Sequence, residues 1–303
     1  MNVESIHVKS MNVESMNVEK KRTDEEMDKI RNTFLKRDMI DKIIKKDTDV
    51  YTKDGRLLCI FRKKKLTGGQ EFYENIATFM KKHPTTNRGS TSGATKFNVK
   101  DNPKVYSTIT GYFDRWSPKQ KYLFKKLGMK TPLEVRETLF LTEHPDKFKK
   151  MIPYISKIDS LYKKLLPVQY KKQYSKAKET HFKIGNTSFT TMTTNINFQT
   201  TIHKDTGDDE EGFGNLAVIE RGKYTGGETC FPQYGFGIDV REGDILFMDV
   251  HEWHANLPIV YEKDAERMSV VCYLRKKVWE RTRNKTRKFM TQHNKTVRKI
   301  RKE

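Results

Sequence analysis

The sequence predicts an α+β protein: a β-rich second half folded as a sandwich or closed barrel, helices supporting it from the N-terminal side, and a basic C-terminal tail. Three observations carry this. Between Phe189 and Leu274, short runs rich in β-branched and aromatic residues follow one another across Gly/Asp turns, the pattern of many short strands. Before them, Phe148, Ile152, Ile155, Ile158, Tyr162 and Leu165 recur every three to four residues between Pro145 and Pro167, the period of a buried helix. After them, Arg275 to Glu303 holds 13 Lys/Arg against two Glu, +11 of a net charge of +21.

The elements follow in order. Residues 1–20 are four five-residue units, MNVES, IHVKS, MNVES and MNVEK. Single Val or Met anchors at so short a period cannot bury a face, so 1–22 reads as a disordered leader. Thr23 before Asp24, Glu25 and Glu26 is a capping-box signal, with Met27, Ile30 and Phe34 behind it at helical spacing, which predicts a helix over about 24–46. Lys53-Asp54-Gly55 between two β-rich runs predicts a hairpin. A second helix is expected over about 71–82, ending at His83-Pro84, and PTTNRGSTSGAT at 84–95 reads as a Gly/Ser/Thr loop, a connector or the edge of a site. The predicted domains are the leader 1–22, a helical and hairpin region 23–86 packing on the core, a catalytic domain 87–278 and a basic tail 279–303.

Composition narrows the function classes. The chain has 303 residues, with 60 Lys+Arg against 39 Asp+Glu, and a mean hydropathy of −0.82. Apolar runs are far short of the ~18 residues of a membrane span, SVVCYL being typical, and the N-terminus has no apolar signal-peptide core. Cys59, Cys230 and Cys272 are scattered and form no CxxC, so neither a disulfide framework nor a cysteine-built zinc site is expected, and all three read as core strand residues. An intracellular compartment is the simplest expectation.

The chemistry gathers in the β-rich half. Sorting Phe189 to Asp205 by parity separates Met192, Ile196, Phe198 and Ile202 from Asn195, Asn197, Gln199, Thr201, His203 and Asp205, the two faces of a strand. Such a polar face ordinarily meets solvent. This one ends in His203-Lys204-Asp205, where an imidazole and a carboxylate on one side can meet a single metal ion. Downstream come His251-Glu252-Trp253-His254 and, thirteen residues after His254, Arg267-Met268-Ser269. Two His and one carboxylate leave half an ion's coordination sphere open, the facial triad of non-haem Fe(II) oxygenases. A buried Arg with a neighbouring hydroxyl suits the far carboxylate of a dicarboxylic co-substrate. HEWH is not a metalloprotease helix, because its second His comes one position too early and in β-rich surroundings.

The order HxD, about fifty residues, His, thirteen, then Arg-x-Ser resembles the 2-oxoglutarate/Fe(II) dioxygenase superfamily. The phrases NRGSTSG, SFTTMTTNINFQTTIHKDTGD, GKYTGGETCFPQYG and LFMDVHEWHAN resemble its TET/JBP branch, whose members oxidise the 5-methyl group of pyrimidines in nucleic acid. The similarity runs from about Asn87 to Leu274. It implies a double-stranded β-helix (jelly-roll) core, with Fe(II), 2-oxoglutarate and O2 as cofactor and co-substrates. It also implies His203 and Asp205 as metal ligands, Arg267, with Ser269 beside it, for the 2-oxoglutarate carboxylate, and His254 as the distal ligand. His254 is chosen over His251 because the family's distal histidine is followed by a small residue and then Pro, as in His254-Ala-Asn-Leu-Pro. The cysteine-rich zinc region of animal TET enzymes has no counterpart here, which leaves thymine, cytosine or an unrelated methyl equally open as the target.

The implied reaction is oxidative decarboxylation of 2-oxoglutarate to succinate, coupled to conversion of a base methyl to hydroxymethyl on a nucleotide extruded from the stack. Asn195, Asn197 and Gln199 are candidates to contact that base, or instead to hold the co-substrate or water. The tail fits sequence-independent phosphate contact with nucleic acid, expected to be DNA, and Met290, His293, Val297 and Ile300 allow a basic amphipathic helix to form on binding. A nuclear or other DNA-containing compartment is then expected, and no membrane association. A protein hydroxylase of the same superfamily and a non-catalytic nucleic-acid-binding module are the competing readings.

Overall fold

The computed structural model describes residues 13–83, 91, 106–130 and 132–302. In chain order the strands are β1 (Glu14–Val18), β2 (Lys42–Ile44), β3 (Thr48–Thr52), β4 (Leu57–Arg62), β5 (Tyr106–Phe113), β6 (Arg136–Glu137), β7 (Thr191–Ile196), β8 (Gly214–Arg221), β9 (Tyr224–Gly226), β10 (Thr229–Phe231), β11 (Phe236–Ile238), β12 (Ile245–Met248), β13 (Ala255–Asn256), β14 (Ile259–Tyr261) and β15 (Glu266–Tyr273). The helices are α1 (Asp24–Lys29), α2 (Gly69–Lys82), α3 (Pro118–Lys126), α4 (Leu139–Glu143), α5 (Pro145–Leu165), α6 (Pro167–Lys178), α7 (Lys276–Thr282) and α8 (Arg287–Lys302).

Among the described residues, nine strands form one sheet in the order β1-β3-β4-β12-β8-β15-β7-β5-β6. It faces a second sheet, β13-β10-β11-β2. Period-two alternation decides which layer each side chain joins. Ile245 and Phe247 of β12, Ala217 and Ile219 of β8, and Met268, Val270 and Cys272 of β15 pack outward against α2 and α5 with Phe72, Ile76, Ile155 and Tyr162. Their neighbours Leu246, Met248, Leu216 and Val218 point the other way, onto Phe231, Phe236 and Ile238 of the smaller sheet. This two-sheet core with helices on one outer face is the α+β jelly roll expected. The three cysteines are buried and unbridged, as expected. No helix among the described residues is long and apolar enough to cross a membrane.

The hairpin forms where Lys53-Asp54-Gly55 predicts it, with Gly55 at φ 82°. The helices over 69–82 and 145–165 also match their periodicity. Three expectations are corrected. The N-terminal helix stops at Lys29 rather than running to 46: Asn32 takes a left-handed φ of 64°, and the backbone of 32–33 instead exchanges hydrogen bonds with Ile202, Asn32 N donating at 2.9 Å and Thr33 O accepting at 3.0 Å. The expected leader is ordered over Glu14–Val18, as an edge strand paired in parallel with β3. A segment with two apolar anchors cannot fold alone, but it can add to an existing sheet through backbone hydrogen bonds while Met16 and Val18 touch the inter-sheet core. Residues 1–12 and most of 84–105 lie outside the described residues.

The third correction concerns the tail. Residues 287–302 form a helix docked on the domain: Val297 and Ile300 pack with Trp116 and Phe124, and His293 is buried with its Nε2 at 2.5 Å from the Val135 carbonyl. Arg298 pairs with the buried Glu137 through two hydrogen bonds of 2.8 and 2.9 Å. The amphipathic stripe read from the sequence is therefore filled by this chain's own aromatics.

Candidate active site

Polar residues on the inner face of the large sheet line a cavity of about 1120 Å³ whose walls include Thr193, Asn195, His203, Asp205, His254, Arg267 and Ser269. Arg267 and Ser269 of β15 lie on one face, as the period-two rule predicts, and β7 beside it supplies Thr193 and Asn195.

The strand expected to run on to Asp205 ends at Ile196. Asn197 breaks it with a φ of 54°, a conformation that Asn tolerates because its side chain bonds locally. Its Oδ1 accepts the Arg267 N–H at 2.8 Å and its Nδ2 donates to the Ala265 carbonyl at 3.2 Å. Asn197 thus clamps the backbone of Arg267 in β15 and of Ala265 just before it, and does not line the cavity. Of Asn195, Asn197 and Gln199, only Asn195 lies on the cavity wall, held between Ser107 Oγ and Ser269 Oγ at 2.5 and 3.2 Å.

Past the break, His203 and His254 form an antiparallel bridge with reciprocal backbone bonds of 3.0 and 2.9 Å. The Asp205 N–H donates to the Val250 carbonyl at 2.9 Å. Two segments some fifty residues apart are so sewn together that one ligand atom from each of His203, Asp205 and His254 lies within 4.8 Å of the others. His203 Nε2 is 3.7 Å from one Asp205 oxygen and His254 Nε2 is 3.9 Å from the other. Both spans are below the ~4.2 Å reach of two ~2.1 Å metal bonds. Nδ1 of His203 faces the Thr201 carbonyl at 2.6 Å, and Nδ1 of His254 faces the Glu252 carbonyl at 2.9 Å. A carbonyl only accepts, so Nδ1 is a donor on each ring, and Nε2 is the nitrogen placed to ligate a metal beside Asp205. This donor set fits a facial metal centre.

His251 does not join it. Its Nδ1 is bound at 3.2 Å to Asp249, and that hydrogen bond, opposed by burial, raises its pKa above the ordinary histidine value. Arg56 grips the same turn from outside, pairing with Asp249 at 2.8 Å and with Glu252 at 2.5 Å. Arg56 was not singled out by sequence reasoning, since it lies about 200 residues away in a hairpin.

Arg267 is 4% exposed, and its Nε and Nη2 have no hydrogen-bond partner among the described residues. A buried guanidinium with unpaired donors is a site for an anion. Gly227 makes room for it: at φ 76°, a Cβ there would lie 3.1 Å from Arg267 Nε. Gly226 beside it is equally constrained, since a Cβ would sit 1.9 Å from the Pro258 carbonyl oxygen. The GG of GKYTGGET is thus a backbone requirement of this wall. Elsewhere in the cavity are Ile109, Phe113, Tyr273 and an ion pair of Asp114 with Arg275, the Tyr273 hydroxyl lying 3.1 Å from Thr193 Oγ1. Thr91 also lines it, and its carbonyl accepts the Thr201 N–H at 3.0 Å; the rest of the 87–95 loop lies outside the described residues.

The family model for the Tet_JBP oxygenase domain of the 2OGFeDO superfamily matches residues 121–276. The thymine dioxygenase JBP1 of Trypanosoma brucei brucei is 32% identical over 172 residues, 56% of this chain and 19% of that protein. The bifunctional helicase and thymine dioxygenase JBP2 of Trypanosoma cruzi is 30% identical over 251 residues, 78% of this chain and 21% of that protein. The chain spans about a fifth of the length of these curated relatives. The solved structure of NgTET1 in complex with 5mC DNA shares the fold, with a TM-score of 0.52 at 14% identity over 78% of this chain and 80% of that one. With over half its length matched by that model, the chain belongs to the TET/JBP oxygenase-domain family of the 2-oxoglutarate/Fe(II)-dependent dioxygenases.

Proposed function

We propose that this protein oxidises the 5-methyl group of a pyrimidine base in DNA, thymine before 5-methylcytosine, using Fe(II), 2-oxoglutarate and O2. The observation that carries the reading is one cavity holding both the His203/Asp205/His254 cluster and the unpaired, buried Arg267 guanidinium. Thymine comes first because the curated relatives are named thymine dioxygenases. A DNA-containing compartment, the nucleus among them, follows from that substrate.

His203, Asp205 and His254 would hold the iron, and Arg267 the distal carboxylate of 2-oxoglutarate. When bound, iron supplies oxygen activation driven by oxidation of 2-oxoglutarate to succinate and carbon dioxide, with one oxygen atom delivered to the methyl carbon. The remaining work falls to the chain. The Thr201 and Glu252 carbonyls keep the two rings in the ligating tautomer. Asn195, fixed between Ser107 and Ser269, holds its amide at the wall without freedom to rotate. Asn197 fixes the backbone from which Arg267 projects. The target base leaves the duplex stack to enter, an unpairing of a few kcal/mol.

The test is expression of the wild type and Asp205→Ala in cells, followed by mass spectrometry of digested DNA. Hydroxymethyluracil from the wild type alone is expected. Equal signals from both proteins refute the assignment, hydroxymethylcytosine alone moves it to the other base, and succinate release with oxidised peptide in place of modified base supports a protein hydroxylase.

A further inference from the structure

We propose that α3 and α8, together with the cavity rim at Arg115 and Lys277, form a second site: a sequence-independent platform for the sugar-phosphate backbone of duplex DNA flanking the target base. It rests on the reading above that the target base is in DNA, and it concerns a surface outside the catalytic cavity.

The charge on α8 divides in two. Arg298 and Arg301 turn inward, the first onto the Glu137 carboxylate and the second onto the Glu137 carbonyl. Exposed Lys288, Lys295 and Lys299 have no carboxylate within ion-pair distance among the described residues, and neither do Lys119, Lys125 and Lys126 on α3. From Arg115 to Lys130 the sequence has six Lys/Arg and no acid. Lys119, Tyr122 and Lys126 fall at i, i+3 and i+7 and so share a helix face, and Tyr122 is 63% exposed.

The two helices act as one body because Trp116 and Phe124 of the α3 segment pack against Val297 and Ile300 of α8. Docking thus fixes where the lysines point. It also sets like charges at Lys295 and Lys299, i and i+4 on one helix, a spacing that destabilises an isolated helix. The fold holds the helix by its apolar stripe and leaves that repulsion unanswered until an anion arrives.

Continuity with the catalytic cavity supplies the direction. Arg115, just before α3, and Lys276 and Lys277, opening α7, are lining residues of the cavity that contains the His203/Asp205/His254 cluster. Glu280 is the one carboxylate that α7 presents to that rim. A duplex with one base in the cavity would therefore run from the rim onto α3 and α8. The 16 residues of α8 span ~24 Å, the length of ~7 phosphates along one strand.

The test uses the full chain without iron or 2-oxoglutarate and follows anisotropy of a labelled 30-base-pair duplex of mixed sequence across salt concentrations. Lys125, Lys126, Lys295 and Lys299 are changed together to Gln. A second variant, with Lys149, Lys150, Lys163 and Lys164 of α5 changed to Gln, has the same net charge and leaves the platform intact. Four lost phosphate contacts lower the log–log salt slope by about 3 to 4, with binding weakened at least tenfold at 0.1 M salt, whereas the α5 variant keeps the wild-type slope. Melting temperatures in 2-oxoglutarate and metal check that the cavity is undisturbed. An unchanged slope in the platform variant overturns the proposal, as does an equal loss in the α5 variant or wild-type binding to phosphatidylserine vesicles but not to duplex. A wild type that forms no modified base but shows the expected slope difference sinks the catalytic reading alone.

Discussion

Replacing Arg267 by Met separates a binding role from a structural one, because the two predict opposite signs for stability. Arg267 is 4% exposed with Nε and Nη2 unpaired among the described residues, and each unsatisfied buried donor costs about 1–3 kcal/mol. Met has similar length and no charge, so the ligand-free variant is expected to be as stable as the wild type or more so, by up to ~4 kcal/mol. At ~2–4 °C per kcal/mol for a domain of this class, the melting temperature holds or rises by several degrees. Co-substrate binding moves the other way. Removing one partner of a buried ion pair costs about 3–5 kcal/mol, so 2-oxoglutarate is held roughly 150- to 5000-fold more weakly. At a concentration one hundred times the wild-type Kd, the ~2.7 kcal/mol of ligand stabilisation disappears. Anaerobic calorimetry with Fe(II) and thermal melts with and without 2-oxoglutarate measure both effects. A variant with affinity within tenfold of wild type and a lower ligand-free melting temperature would falsify the assignment, since Arg267 would then be a structural anchor.

Three further outcomes follow from the same geometry. His254→Ala is expected to lose bound iron, measured by elemental analysis, whereas His251→Ala keeps about one equivalent; the reverse result exchanges the two histidines. Asn197→Ala loses two buried hydrogen bonds of about 1 kcal/mol each and places a Cβ residue without a compensating side-chain contact at φ 54°, another ~1 kcal/mol. Urea unfolding should show a loss of about 2–3 kcal/mol, with Asn197→Gly recovering the backbone part. Because the pKa of His251 is raised by Asp249, their pair stabilises the fold fully below the unfolded-state value of ~6.5 and loses that contribution as pH rises through the higher folded value. The metal-free melting temperature of His251→Gln should therefore fall furthest behind wild type below about pH 6 and converge with it in alkaline buffer; a gap that widens with pH refutes the sign.

The legible parts share a physical cause. Met268, Val270 and Cys272 alternate with Arg267, Ser269 and Val271, and β15 lies between β7 and β8 with one face on helices and the other on the cavity. A rule of period two was enough to put Arg267 and Ser269 on one wall. The same rule failed past Ile196, because Asn197 leaves the strand conformation and resets which residues face inward. Gln199 therefore drops out of the cavity wall while Phe198 and Thr200 join it. The N-terminal helix failed for a similar reason: its apolar spacing is local, but the Ile202 backbone draws residues 32–33 away from it.

Short-range pattern determined by itself the hairpin at Gly55, the long helix at 145–165 and the strand-rich core. These depend on neighbours a few residues apart, where backbone geometry sets the spacing. Tertiary structure alone decided which of two histidines meets Asp205, that Asn197 is a clamp and Asn195 a wall, that Arg56 braces the turn behind His254, and that the basic C-terminal stretch is a docked helix. Each of those depends on partners tens to hundreds of residues distant, brought within a few ångströms by sheet register. The charge of +21 belongs with them: part is neutralised by buried acids such as Glu137, and only packing shows which cations remain to meet a polyanion.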